Sequence, residues 1–263
     1  MPFTASDGAS IYWKLEGVET APPLVLLNSI GTDMDLWDGL IAVLRQRHLI
    51  LRIDTRGHGA SSAVEGDYTL NALANDVIAV MDEAGMHEAD VAGISLGGMI
   101  SMQLALDHPN RIRRLALICT SSTMDRKAWQ TRIDMIRAEG MEGIADLAIT
   151  RFLSEEFIAE HPEVSASLRR ALVAMDAGGY AGCAAAIRDM TLDEQLGSIR
   201  APTIVVTGAR DVSTPYDGHG DFLVQGIPGA QHASIDAAHL PSIEAPSALA
   251  RTLEQFLLDN DRG

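Results

Sequence analysis

Gly93-Ile94-Ser95-Leu96-Gly97 places a serine between two glycines, with an apolar run before it and a helix-period run after it. Ala89-Asp90-Val91-Ala92 leads in as a short buried strand. Leu96-Gly97-Gly98-Met99-Ile100-Ser101-Met102-Gln103-Leu104-Ala105-Leu106 leads out as a helix. A serine on so sharp a strand-to-helix turn has its hydroxyl lifted above the sheet edge, and glycines two residues either side relieve the crowding. The pentapeptide alone also fits a glycine-rich turn that happens to hold a serine. The strand-turn-helix context and the partners found downstream favour a nucleophile elbow.

On both sides of the elbow strand-like runs alternate with helical ones, which argues for an α/β fold with a mostly parallel central sheet flanked by helices. Ile11–Leu15 alternates as an edge strand does, while Leu24–Leu27, Leu49–Ile53, Leu115–Ile118 and Thr203–Val206 are apolar enough to be buried on both faces. Helices are expected near 36–46, 69–85, 96–107 and 245–259. Residues 122–196 break the alternation with helical patterns at 125–139, 142–152, 163–176 and 179–189 and hardly a β-branched run. They are expected to form a helical cap inserted over the sheet, with 1–121 and 197–263 as the core; helices that merely flank the sheet are the plainer alternative. At 263 residues the chain fits one such domain.

The bulk numbers exclude several classes. The formal charge is −16, from 20 basic and 36 acidic side chains, with no lysine- or arginine-rich block, so nucleic acid is not an expected partner. A negatively charged substrate would need a local basic contact to offset that field. Met1–Gly8 lacks the basic and apolar segments of a secretory signal, and no apolar stretch approaches the ~20 residues that span a bilayer. The two cysteines, Cys119 in an apparent core strand and Cys183 in an alanine-rich helix, suit a reducing cytoplasm. Neither sits in a metal-ligand pattern, so no metal or cofactor is expected. Periodicity alone identifies no subunit interface.

A serine hydroxyl is a poor nucleophile near neutral pH and needs a base oriented by a third group. In an elbow fold these follow in the order serine, acid, histidine. Asp211 stands just past the run ending Thr207-Gly208, in a turn punctuated by glycine and proline. A turn former or helix cap is the other common use of such an aspartate. His239, in Asp236-Ala237-Ala238-His239-Leu240-Pro241, lies between the last strand and the last helix. His232 falls within the strand Gln231–Ile235, His58 belongs to a tight structural turn, and His219 reads as a solvated loop residue. The expected triad is therefore Ser95, Asp211 and His239. Oxyanion donors are expected from the backbone N–H of Leu96, directly after the nucleophile, and of Ile30, in the loop Asn28–Thr32.

These residues resemble the α/β-hydrolase superfamily over essentially the whole length, and more closely the 3-oxoadipate enol-lactonases. The likeness rests on Asn28-Ser29-Ile30-Gly31-Thr32-Asp33 followed by Trp37, on Asp54-Thr55-Arg56-Gly57-His58-Gly59-Ala60-Ser61, and on Gly93–Met99. Trp129-Gln130-Thr131-Arg132, continuing through Arg137–Met141, is similar to the first cap helix of those lactonases. Phe152 stands where that pattern has a tryptophan, and the stretch around Pro241–Glu244 is closer to a general hydrolase pattern. The resemblance implies hydrolysis of an enol-lactone to 3-oxoadipate in aromatic catabolism, with a small lactone or ester as the partner molecule. Such a substrate carries a carboxylate. On a helix Trp129, Arg132 and Ile133 share a face, so Arg132 would hold the carboxylate while Trp129 walls the ring; an arginine paired to a surface acid fits the same position equally. Rival expectations on the same frame are a carboxylesterase, a perhydrolase, a C–C bond hydrolase or a slow ligand-sensing homologue.

Overall fold

A computed structural model describes residues 2–258. Eight strands form one sheet: β1 (Phe3–Ser6), β2 (Ala9–Gly17), β3 (Pro23–Leu27), β4 (Leu49–Ile53), β5 (Ala89–Ile94), β6 (Ile112–Ile118), β7 (Thr203–Gly208) and β8 (Gln231–Ile235). Their spatial order is β1-β2-β4-β3-β5-β6-β7-β8. β1, β2 and β4 pair antiparallel, and every pairing from β4 through β3 to β8 is parallel. The mostly parallel sheet flanked by helices that the alternation implies is the architecture observed, and it is the α/β-hydrolase fold that the resemblance implies. β5 and β7 are buried along their whole length, which is why they read as continuous apolar runs rather than alternating ones.

Helices α1 (Asp38–Leu44), α2 (Leu70–Glu83) and α3 (Leu96–Asp107) follow β3, β4 and β5 in turn. α3 is buried on nearly every face because it lies between the sheet and its neighbours, and its sequence is correspondingly apolar all round. Past β6 come α4 (Arg126–Glu139), α5 (Glu142–Phe152), α6 (Glu155–Glu160), α7 (Pro162–Val173) and α8 (Ala177–Asp189), with no strand among the described residues before β7. Five helices stand here rather than the four expected. The additional one, α6, is one and a half turns long, buries no residue, and begins where the Ser154 hydroxyl accepts the Phe157 N–H at 3.3 Å. A helix without an apolar stripe leaves no periodicity to read.

After β7 the chain forms α9 (Asp221–Gly226), β8, α10 (Pro241–Glu244) and α11 (Pro246–Leu258). The expected last helix ran to 259, which lies outside the described residues, as do residue 1 and the final residues of the expected core range. Among the described residues no helix is long and apolar enough to cross a membrane.

Candidate active site

Ser95 sits between β5 and α3 with φ 55° and ψ −114°, in the left-handed region that an L side chain rarely adopts. The surroundings over-determine this strained geometry. The Ser95 N–H donates to the Ile118 carbonyl at 2.9 Å, and the Ser95 carbonyl accepts the Met99 N–H at 3.1 Å and the Thr120 hydroxyl at 2.7 Å. The flanking glycines are required by close approach. A Cβ on Gly93 would meet the Gly97 carbonyl oxygen at 2.2 Å, and one on Gly97 would meet that of Leu27 at 2.3 Å.

Asp211 and His239 come together from the loops after β7 and β8. His239 Nδ1 donates to Asp211 Oδ2 at 2.9 Å, with both side chains almost wholly buried. The rest of the carboxylate is spoken for: Oδ1 accepts the N–H groups of Ser213 (2.7 Å) and Thr214 (3.1 Å), and Oδ2 accepts the Thr214 hydroxyl (2.9 Å). Burial alone would raise the Asp211 pKa, but the facing His239 and these donors outweigh it and hold the carboxyl down to about 2. An ionised Asp211 fixes the proton of neutral His239 on Nδ1 and leaves Nε2 as the basic nitrogen. Phe152, at the position where a tryptophan was expected, stacks on the His239 ring at 6.2 Å and 10°.

Ile30 follows β3 in a loop held from several sides. Asn28 Nδ2 donates to the Ile53 carbonyl (2.8 Å), Trp37 Nε1 donates to Asn28 Oδ1 (3.0 Å), and the Thr32 hydroxyl donates to the Ser29 carbonyl (2.9 Å). His58 is the structural residue its turn implied. Its Nδ1 donates to the Arg56 carbonyl (3.1 Å) and its Nε2 accepts the Gly31 N–H (3.0 Å), one residue past Ile30. Burial lowers its pKa to about 4, so it is neutral and able to accept. Leu96 is the first residue of α3, a position whose N–H has no intrahelical partner.

A cavity of about 250 Å³ is lined by Ile30, Ser95, Trp129, Arg132, His219 and His239 among others. It therefore gathers two of the three expected triad members, an expected oxyanion residue and both expected substrate contacts, with Asp211 directly behind His239. Arg132 lies over the Trp129 ring at 4.6 Å. Its nearest polar contact is the Tyr180 hydroxyl at 3.5 Å, and among the described residues no carboxylate pairs with it. The other cavity-lining arginine, Arg151, is exposed at the rim.

Two expectations need correction. His219 is not a solvated loop residue: it is half-buried and lines the cavity. Gly218, at φ 86°, lets the chain turn sharply enough to deliver it there. The Ser121 hydroxyl donates to the Thr123 carbonyl (2.7 Å), so its lone pair accepts from His219 Nδ1 (2.8 Å). That leaves His219 Nε2 as an acceptor, and burial, against the pull of Asp211 and Asp221, lowers the pKa. The glycines on both sides of His219 were the available signal. Cys119 lies just past β6 at φ 44°, not within it, and both cysteines are buried and free.

The family of the alpha/beta hydrolase fold matches residues 22–157. The sequence is 34% identical to 3-oxoadipate enol-lactonase 2 of Acinetobacter baylyi, over 97% of this chain and 95% of that protein. The enol-lactonase structure from Burkholderia xenovorans LB400 superposes with a TM-score of 0.95 at 34% identity, covering 98% of this chain and all of the other. A thermophilic esterase from Thermogutta terrifontis, solved with malate bound, superposes with a TM-score of 0.90 at 25% identity over 97% and 96% of the two chains. Fold, elbow geometry and likeness over nearly the full length agree: this chain belongs to the α/β-hydrolase family.

Proposed function

We propose that this protein opens 3-oxoadipate enol-lactone to 3-oxoadipate, in aromatic catabolism, through a Ser95-His239-Asp211 triad and an acyl-enzyme. The enzyme is an ester or lactone hydrolase; the lactone, the pathway and the residue roles are our reading. The observation that carries the substrate is Arg132, a half-buried guanidinium with no acid partner among the described residues, which faces the same cavity as Ser95 and His239. In a chain with 36 acidic and 20 basic side chains, an unpaired cation in a cavity is a feature an anionic substrate would use. A volume of about 250 Å³ also suits a small ring better than a drug-sized ligand, whose pockets run from about 300 Å³ upward.

The helices of residues 122–196 are the cap in this account, contributing Trp129 and Arg132 over the core's Ser95. His239 Nε2 takes the Ser95 Oγ proton as Oγ attacks the lactone carbonyl. The N–H groups of Ile30 and Leu96 receive the charge that develops on the carbonyl oxygen. The ring C–O bond breaks, and the departing enolate takes the proton from His239. Being a weaker base than a simple alkoxide, it leaves more readily. Water, deprotonated by the same Nε2, attacks the acyl-enzyme; Ser95 Oγ regains the proton, the carboxylate departs, and the enol tautomerises to the ketone. Arg132 holds the second carboxylate throughout.

A neutral-ester hydrolase is the competing reading, favoured by the apolar Met99, Met124 and Phe152 on the cavity wall. Comparing kcat/KM for the enol-lactone and for p-nitrophenyl acetate with purified protein separates the two. The proposal expects the lactone to be preferred by several orders of magnitude. Turnover of the ester without the lactone would keep the triad and discard the substrate.

A further inference from the structure

Resting on the triad reading above, we infer that Glu244 is a positioning residue for His239 and ties that histidine to the helical segment over the cavity. Glu244 is the last residue of α10, and its side chain is only 1% exposed. A carboxylate so deeply buried needs strong partners, and its two oxygens take them from different parts of the chain. Oε2 accepts the N–H of Ala238, the residue immediately before His239, at 2.8 Å. Oε1 accepts the N–H of Ser154, where α5 gives way to α6, at 2.6 Å.

Other contacts converge on the same junction. The Leu240 N–H donates to the Phe152 carbonyl at 3.1 Å, so both neighbours of His239 are bonded, directly or through Glu244, to the segment 152–154. Phe152 itself stacks on the His239 ring. Arg210, the residue before Asp211, lies 3.7 Å from Glu244 Oε2, 3.1 Å from Asp236 and 3.8 Å from Glu156 on α6. Its N–H donates to the Ala237 carbonyl at 2.9 Å. The loops carrying Asp211 and His239 and the α5–α6 junction thus meet at one carboxylate. Displacing it frees the backbone just before His239 and releases Ser154 from the segment to which Leu240 is bonded, and a shift of about 1 Å in a reacting group can lower a rate by about 100-fold.

The test reads Ser95 reactivity directly, as the second-order rate of labelling by a fluorophosphonate, alongside kcat and KM for p-nitrophenyl acetate and the melting temperature. In Glu244→Gln the amide can accept only one of the two N–H groups. Labelling and kcat are expected to fall about 10- to 100-fold with KM within about twofold. Ser154 offers a second variant should that one fail to fold. Its φ of −69° and the extended backbone of Leu153 (φ −124°, ψ 149°) accommodate proline, whose ring takes the place of the N–H that Glu244 accepts. Ser154→Ala keeps that N–H and loses only the hydroxyl cap, so the proline-to-alanine ratio isolates the link. We expect Ser154→Pro to be labelled about 5- to 20-fold more slowly than Ser154→Ala. Labelling rates within twofold of wild type in Glu244→Gln, or equal rates in the Ser154 pair, would overturn the positioning role whatever happens to the melting temperature. A wild-type protein unlabelled at Ser95 would instead overturn the triad reading, and this inference with it.

Discussion

Replacing Arg132 by alanine should raise KM for the enol-lactone about 30- to 150-fold and leave kcat within about threefold. The magnitude follows from the surroundings of the guanidinium. It is half-buried, rests on Trp129 at 4.6 Å and has no acid partner among the described residues, so its outward donors are available to a substrate carboxylate. A hydrogen bond to a charged group contributes about 1.5–3 kcal/mol. Taking about 2–3 kcal/mol for a contact partly shared with solvent, and about 1.4 kcal/mol per factor of ten, gives the stated range. In the proposed reaction the carboxylate is remote from the reacting carbonyl and is held alike in ground and transition states, so the loss is expected to fall on KM rather than kcat. A neutral ester has no such group, and its KM should stay within about twofold. Arg132→Lys should be intermediate, since an ammonium keeps the charge without the planar fork. The assay is the decline of enol-lactone absorbance beside p-nitrophenol release from p-nitrophenyl acetate. Parallel changes for both substrates would refute the clamp, and a larger lactone effect in Arg151→Ala would move it to the rim.

Three further outcomes follow from the same geometry. Asp211→Asn presents an amide to His239 and favours the wrong tautomer, so kcat should fall by about 10⁴-fold with near-native circular dichroism. Gly97→Ala puts a Cβ 2.3 Å from the Leu27 carbonyl oxygen; both groups belong to packed main chain, and urea unfolding should show a loss of about 3 kcal/mol or more. His58 is buried neutral with its pKa lowered from 6.5 to about 4, so the unfolded chain takes up its proton first as the pH falls. Its contribution is complete above pH 6.5 and declines through pH 4, by about 3 kcal/mol at 1.36 kcal/mol per pH unit. Urea midpoints measured from pH 7 to 4 should therefore drop more steeply for wild type than for His58→Gln; identical slopes would rule this out.

The parts of the molecule legible in the sequence are those where one physical demand dominates. β4 and β8 have the bounds expected of them, and α3 spans its expected residues because the elbow fixes its start. The positions of Ser95, Asp211 and His239 just past β5, β7 and β8 could be read because the strand ends constrain them, while their catalytic roles belong to the proposal. β1 went unread: four residues alternating between exposed and half-buried at the sheet edge carry no apolar run. His219 was misplaced because Gly218 sends the chain inward through a backbone conformation that composition cannot report. Glu244 was visible only as part of a general hydrolase pattern. Its partners are main-chain N–H groups of Ser154 and Ala238, the former 90 residues away, and main-chain donors leave no side-chain signature. The helical segment was recognised by its lack of strands, yet the additional helix escaped because α6 is only six residues long and has no fully buried residue.

The most direct test of the account is the rate of enol-lactone loss catalysed by wild-type protein and by Ser95→Ala, purified and assayed side by side. Rapid turnover by wild type and a loss of at least about 10⁴-fold in the variant are expected, as removal of a triad nucleophile requires. Lactone turnover that survives in Ser95→Ala, or a wild-type protein inert toward the lactone, would contradict it.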